Sequence, residues 1–98
     1  MIIVTGSLVV KEGRLNDALT LSLEHARRSR AETGCISHAV HQDAENLARL
    51  VFIEEWSDKA ALAAHFAVPA SRAFVKAISE LAAEAPKLNV FEAKRVSG

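Results

Sequence analysis

Glu54 and Trp56 stand two apart in the segment Phe52-Ile53-Glu54-Glu55-Trp56, and His65 follows nine residues later. On an extended chain that spacing points both side chains the same way. His65 falls on the apolar side of a following helical stretch, so the three can converge on one pocket. A carboxylate buried there without partners has its pKa raised, and an imidazole beside it can accept or donate a proton near neutral pH. Such a pair suits deprotonation of a phenol. Oxygenation without a cofactor needs an electron-rich phenolate that can pass an electron to O₂, hence a base and a water-poor pocket. His65 is the candidate base, with Trp56 and Phe52 as ring-stacking walls and Glu54 as a further substrate contact. The structural alternatives are that Trp56 is core and that Glu54 ties helix to sheet through a hydrogen bond to backbone or to His65.

His38 shares a face with Ile36 and Val40, where it either lines the same pocket or packs as a partly buried histidine. His41, three residues on, faces the opposite side, which prevents the two from chelating one metal within a monomer. No other spacing of His, Cys or Asp suggests a metal site, so the chain is expected to work without metal or other cofactor. His25 lies at the flank of an apolar helical stripe and reads as a boundary residue. Cys35, beside Gly34, reads as a small buried hydrophobe. Arg27, Arg28 and Arg30 read as a solvated helix face, offset by Glu24 and Glu32. Walker, GxGxxG and nucleophile-elbow motifs are absent.

The elements that must position these groups follow from periodicity. Met1 to Val10 alternates as a strand, with Ile2, Val4, Leu8 and Val10 on one face. After a turn at Lys11, Glu12 and Gly13, the positions Leu15, Ala18, Leu19, Ser22, Leu23 and Ala26 make a helical stripe. Gly34 is expected to cap that helix. Cys35 to Gln42 is a second strand, Asp43 to Ala48 a turn, and Arg49 to Trp56 the third and strongest strand. Ser57 or Asp58 can cap a short helix reaching about Phe66, in which Leu62, His65 and Phe66 share a face. Pro69 interrupts it, Ser71 to Ala85 continues as a helix carrying Phe74, Val75, Ile78, Leu81 and Ala82, and Pro86 stops it. Leu88 to Val96 is the last strand. The resulting β-α-β-β-α-β order is the ferredoxin-like split arrangement, an α+β fold of one antiparallel sheet with helices on one side. Apolar residues on both sheet faces, among them Val51, Ile53 and Phe91, call for a cover on the other side, and a second copy of the chain is the simplest one.

The chain has 98 residues, which predicts one domain over residues 1–98 and rules out a Rossmann or TIM-type enzyme. Twelve basic and twelve acidic side chains balance, so neither nucleic acid nor an anionic membrane is an expected partner. Of the residues making up the 50% hydrophobic fraction, 18 are Ala, which favours helix more than a thick core. A single cysteine allows no intrachain disulfide and fits a reducing compartment, so a cytoplasmic location is expected. No basic leader precedes the first strand, and no apolar run reaches membrane-spanning length.

Taken in order, Gly34-Cys35-Ile36, Phe52-Ile53-Glu54-Glu55-Trp56-Ser57-Asp58, Ala60-Ala61-Leu62-x-x-His65, Pro69 and Phe74 resemble the antibiotic biosynthesis monooxygenase domain over nearly the whole chain. The most specific part is Glu54-x-Trp56 followed by His65. The resemblance implies a homodimeric α/β barrel with a pocket between sheet and helices, and, in characterised members, oxygenation of quinols or polycyclic phenols by O₂ without metal or flavin. Haem-degrading relatives use an Asn on the first strand, where this chain has Thr5, Gly6 and Ser7, so haem chemistry is not implied. With no Tyr in the sequence, no tyrosine role carries over. Two rival readings remain open at this point: a small-metabolite isomerase or lyase using His65 and His38 as acid and base, and a non-catalytic ligand-binding dimer whose pocket is filled by Trp56 and Phe52.

Overall fold

The computed structural model describes all 98 residues, Met1–Gly98. Its elements run β1 (Ile2–Val9), α1 (Leu15–Ser29), β2 (Cys35–Asp43), β3 (Asn46–Trp56), α2 (Lys59–Ala67), α3 (Pro69–Leu81) and β4 (Lys87–Glu92). The four strands form one sheet in the order β2-β3-β1-β4, and every neighbouring pair is antiparallel. This is the ferredoxin-like α+β architecture that the alternation of periods predicts.

Strict alternation along β1 buries Ile2, Val4, Gly6 and Leu8 and leaves Ile3, Thr5, Ser7 and Val9 half-buried. On β3 the buried set is Leu50, Phe52, Glu54 and Trp56. Both sets face the helices. One apolar cluster joins Leu8, Leu50 and Phe52 of the sheet to Ala18 of α1 and Ile78 and Leu81 of α3. A second joins Ile2, Val4 and Trp56 to Leu62 of α2. Glu54 stands between Phe52 of the first cluster and Trp56 of the second, so a carboxylate interrupts the core near the end of β3.

Several element boundaries differ from the expectation, each for a local reason. The β2–β3 hairpin is tighter than an Asp43-to-Ala48 turn. The Asp43 carboxylate accepts from Glu45 N at 2.8 Å and the Asn46 side-chain carbonyl from Ala48 N at 3.2 Å, so β3 starts at Asn46. Helix α1 ends at Ser29, and Gly34 lies in the following loop at φ 84°, in the left-handed region but not as the helix cap. Pro69 begins α3 as well as ending α2, with Val68 as the cap residue of both helices. Helix α3 stops at Leu81, five residues before Pro86, because its continuation is drawn into the sheet margin. Ala82 bridges Val10, and Ala83 N donates to Val9 O at 2.8 Å. At α2, of the two candidate caps Ser57 and Asp58, it is Asp58 whose side chain accepts from Ala61 N at 2.8 Å.

The sheet face turned away from the helices presents Ile3, Val9, Val51, Ile53 and Phe91, with Ile53 44% and Phe91 52% exposed. All six residues of the edge strand β4 are exposed. No helix is long and apolar enough to cross a membrane.

Candidate functional site

Three helix- or strand-borne histidines meet inside the fold: His25 on α1, His38 on β2 and His65 on α2. Ring centroids lie 5.0 Å apart for His25 and His38, 5.3 Å for His25 and His65, and 5.6 Å for His38 and His65. Glu54, on β3, is their charged neighbour. Its Oε1 lies 3.3 Å from His38 Nε2 and 3.9 Å from His65 Nε2, and it accepts a hydrogen bond from Trp56 Nε1 at 2.9 Å. Burial by itself would push the Glu54 carboxyl up. The contacts from His38, Trp56 and His65 outweigh it and hold Glu54 below the ordinary glutamate value, so the group is a carboxylate at neutral pH.

His65 is fixed from its other side as well. Its Nδ1 lies 2.9 Å from Glu32 Oε1, in the loop after α1. A carboxylate partner there favours a proton on Nδ1 and leaves the Nε2 lone pair free. The ring also lies against Trp56, with centroids 4.6 Å apart. The ring is therefore positioned between one acid outside the strand, at Nδ1, and one on it, near Nε2.

A cavity of about 620 Å³ opens beside this cluster. His25, His65, Glu54, Phe52, Phe66 and Phe74 are on its wall, and Arg72 and Lys87 also border it. Gly6 sits on the inner face of β1 at the same cavity, where the alternation would otherwise place a large apolar side chain. A Cβ there would only reach ordinary contact, 3.5 Å from Leu88 Cδ1, so glycine leaves open space rather than relieving a clash. Ser71 also reaches the wall, its hydroxyl buried without a partner.

Among the residues singled out in the sequence, His65, Glu54 and Phe52 lie on the cavity wall, and Trp56 and His38 lie behind it, completely buried. Trp56 therefore packs as core and presents its indole N–H to Glu54 instead of its ring face to the cavity. His38 is 1% exposed; its Nδ1 has no polar partner, and its Nε2 has only the 3.3 Å contact with the Glu54 carboxylate.

Two contributors were not evident from the sequence. His25, expected at the margin of its helix, is buried, stacks on Phe74 at a centroid distance of 4.0 Å and lines the cavity. Desolvation first, then the nearby His38, His65 and Arg28, push its pKa down to about 3. Glu32, expected only to offset nearby arginines, is the partner of His65. A signal for His25 did exist: it lies three residues after Ser22 and three before Arg28, and Ser22, His25, Ala26 and Ser29 together form the buried stripe of α1. That stripe is more polar than a hydrophobic pattern reveals. The spacing reading also expected no metal-binding set, but His25, His38 and His65 each offer one ligand atom, all within 4.8 Å of one another. Tertiary packing assembled them from positions separated by 13 and 27 residues along the chain.

A family model described as antibiotic biosynthesis monooxygenase matches residues 1–77. An uncharacterized protein of Synechocystis is 31% identical over 91 residues, covering 93% of this chain, and the chain spans 62% of that relative's length. A crystal structure of an antibiotic biosynthesis monooxygenase is 26% identical, with a TM-score of 0.89 over 97% of this chain and 100% of the other. A conserved protein from Methanosarcina mazei is also 26% identical, with a TM-score of 0.90 over 95% and 92% of the two chains. A structure from Deinococcus radiodurans superposes with a TM-score of 0.94 over 100% and 97% of the two chains at 23% identity, a likeness of fold.

Proposed function

The chain belongs to the antibiotic biosynthesis monooxygenase family, and from that premise we propose that it is a homodimeric monooxygenase acting on a quinol or a phenolic, polycyclic aromatic metabolite with O₂ and no resident cofactor. The observation that carries the reading is His65, with Nδ1 tied to Glu32 at 2.9 Å and its ring on the wall of an aromatic-lined cavity. A base so held removes the phenolic proton through Nε2. The phenolate then passes an electron to O₂, and recombination forms the carbon–oxygen bond. One oxygen atom stays in the product and the other leaves as water with two hydrogens from the substrate, so no external reductant enters the balance. Phe52, Phe66 and Phe74 give the aromatic walls. Arg72 and Lys87 at the cavity border favour a substrate that develops negative charge. The open cavity supports this reading over a binding domain whose pocket is filled. The absence of His38 from the cavity wall, where His65 lies, weighs against an acid–base pair of His65 and His38 in an isomerase.

The test is oxygen uptake by metal-free protein across a panel of hydroquinones and polycyclic phenols. With any substrate found, His65→Ala is expected to lower turnover by about 10² to 10⁴, the range for loss of a general base, while the protein stays folded. An unchanged rate in a folded His65→Ala protein would end the assignment of His65, and substrate turnover without O₂ consumption would end the monooxygenase reading.

A further inference from the structure

We infer that His25, His38 and His65, together with Glu54, form a binding site for one divalent transition-metal ion, and that a bound ion occupies the His65 nitrogen on which proton abstraction depends. The metal-binding half stands apart from the function proposed above, whereas the inhibitory half rests on it. Three observations converge. The three histidines each present one ligand atom within 4.8 Å of the others, from three different elements of the fold. Around a tetrahedral ion with bonds of about 2.0 to 2.1 Å, donor nitrogens lie about 3.4 Å apart, so closure asks each ring to move by roughly an ångström. Glu54 Oε1, already 3.3 Å from His38 Nε2 and 3.9 Å from His65 Nε2, is in place as an anionic fourth donor.

The second observation is that His38 is buried with no partner at all on Nδ1 and only the 3.3 Å charge contact to Glu54 on Nε2. An under-satisfied imidazole costs stability unless something satisfies it, and a metal ion in the cluster would. The third is the Glu32–His65 contact at 2.9 Å, the outer carboxylate that orients a metal-binding histidine and fixes its other nitrogen toward the ion. Entry is through the cavity, on whose wall His25, His65 and Glu54 lie. A donor set of three imidazoles and one carboxylate suits Zn²⁺, Co²⁺, Ni²⁺ or Cu²⁺ over Mg²⁺ or Ca²⁺. Arg28 Nη2, 3.4 Å from His25 Nδ1, also donates to Ala70 O at 3.3 Å and can keep that bond when His25 turns to an ion.

Metal-free protein without an affinity tag, titrated with Co²⁺, is expected to develop the visible absorption of four-coordinate Co²⁺ at one ion per chain, and Zn²⁺ is expected to bleach it. His38→Ala, checked for folding by circular dichroism, should abolish the band. Glu32→Gln, which leaves the core intact, should weaken Co²⁺ affinity by about 10- to 100-fold. Absence of the band in folded wild-type protein, or an undiminished band and affinity in the folded variants, overturns the site. Zn²⁺ at saturation should stop oxygen uptake by the metal-free enzyme, and unaffected uptake overturns the inhibitory half. The Co²⁺ band needs no substrate, so failure to find oxygen uptake would remove the monooxygenase reading and the inhibition with it, leaving the metal site to its own result.

Discussion

His25 is neutral in the folded protein because desolvation and three cationic or ionisable neighbours oppose its charge. Those facing it are Arg28 on its own helix, His38 on β2 and His65 on α2, with Glu54 on β3 pulling the other way. Its pKa is 6.5 in an unfolded chain and about 3 here, so the unfolded state binds more protons between those limits. Stability from this group is therefore complete above pH 6.5 and is lost as pH falls below it, at up to about 1.4 kcal/mol per pH unit. Urea midpoints followed from pH 8 to pH 5 should fall in the wild type and fall less in His25→Gln. Equal slopes would show that His25 charges freely in the folded state. Glu32→Gln belongs to the same scale. It keeps an acceptor for His65 Nδ1–H but removes the charge that stabilises the imidazolium, so turnover should drop by about 10- to 100-fold with little change in substrate affinity.

At the scale of elements, the loop between α1 and β2 is closely packed against α2 at Gly34. Gly34 has φ 84°, and a Cβ there would stand 2.5 Å from Ala61 Cβ and 2.8 Å from Ser57 Oγ. Gly34→Ala adds a left-handed backbone penalty to a collision with α2, together about 2 to 4 kcal/mol. That loop also carries Glu32, so the same substitution should disturb the His65 contact. Gly13 is the control: its φ is 79° with nothing within 4 Å of an added Cβ, so Gly13→Ala should cost only the backbone part, about 1 to 2 kcal/mol. Thermal midpoints of the two variants should separate accordingly, and equal midpoints would rule out the steric contact with Ala61.

For the whole molecule, one uncovered feature dominates: the apolar outer face of the sheet around Ile53, Val51, Ile3 and Phe91. Leaving Ile53 and Phe91 about half exposed forgoes burial worth about 25 cal/mol for each Å² of apolar surface. A second copy packed face to face, as proposed above, would recover it and close the barrel that the resemblance implies. Sedimentation at micromolar concentration should find a dimer, and Ile53→Asp should shift it to monomer without unfolding. A dispersed wild-type monomer would remove this assembly.

Local chemistry along the chain was enough to determine the order of elements, the shared face of Leu50, Phe52, Glu54 and Trp56, and a cap for α2 at Ser57 or Asp58, because period-two alternation and capping act over a few residues. The resemblance carried by Glu54-x-Trp56 and His65 likewise led to the family that the chain belongs to. Only the tertiary structure decided which polar groups meet. Glu32 joins His65 across 33 positions, and three histidines from α1, β2 and α2 close on one point. The same packing decided that Trp56 is core behind the cavity, and that α3 ends at Leu81 because the backbone after it pairs with Val9 and Val10. Those outcomes depend on how helices seat on the sheet and on which backbone groups find partners there. No periodicity in the sequence encodes that seating.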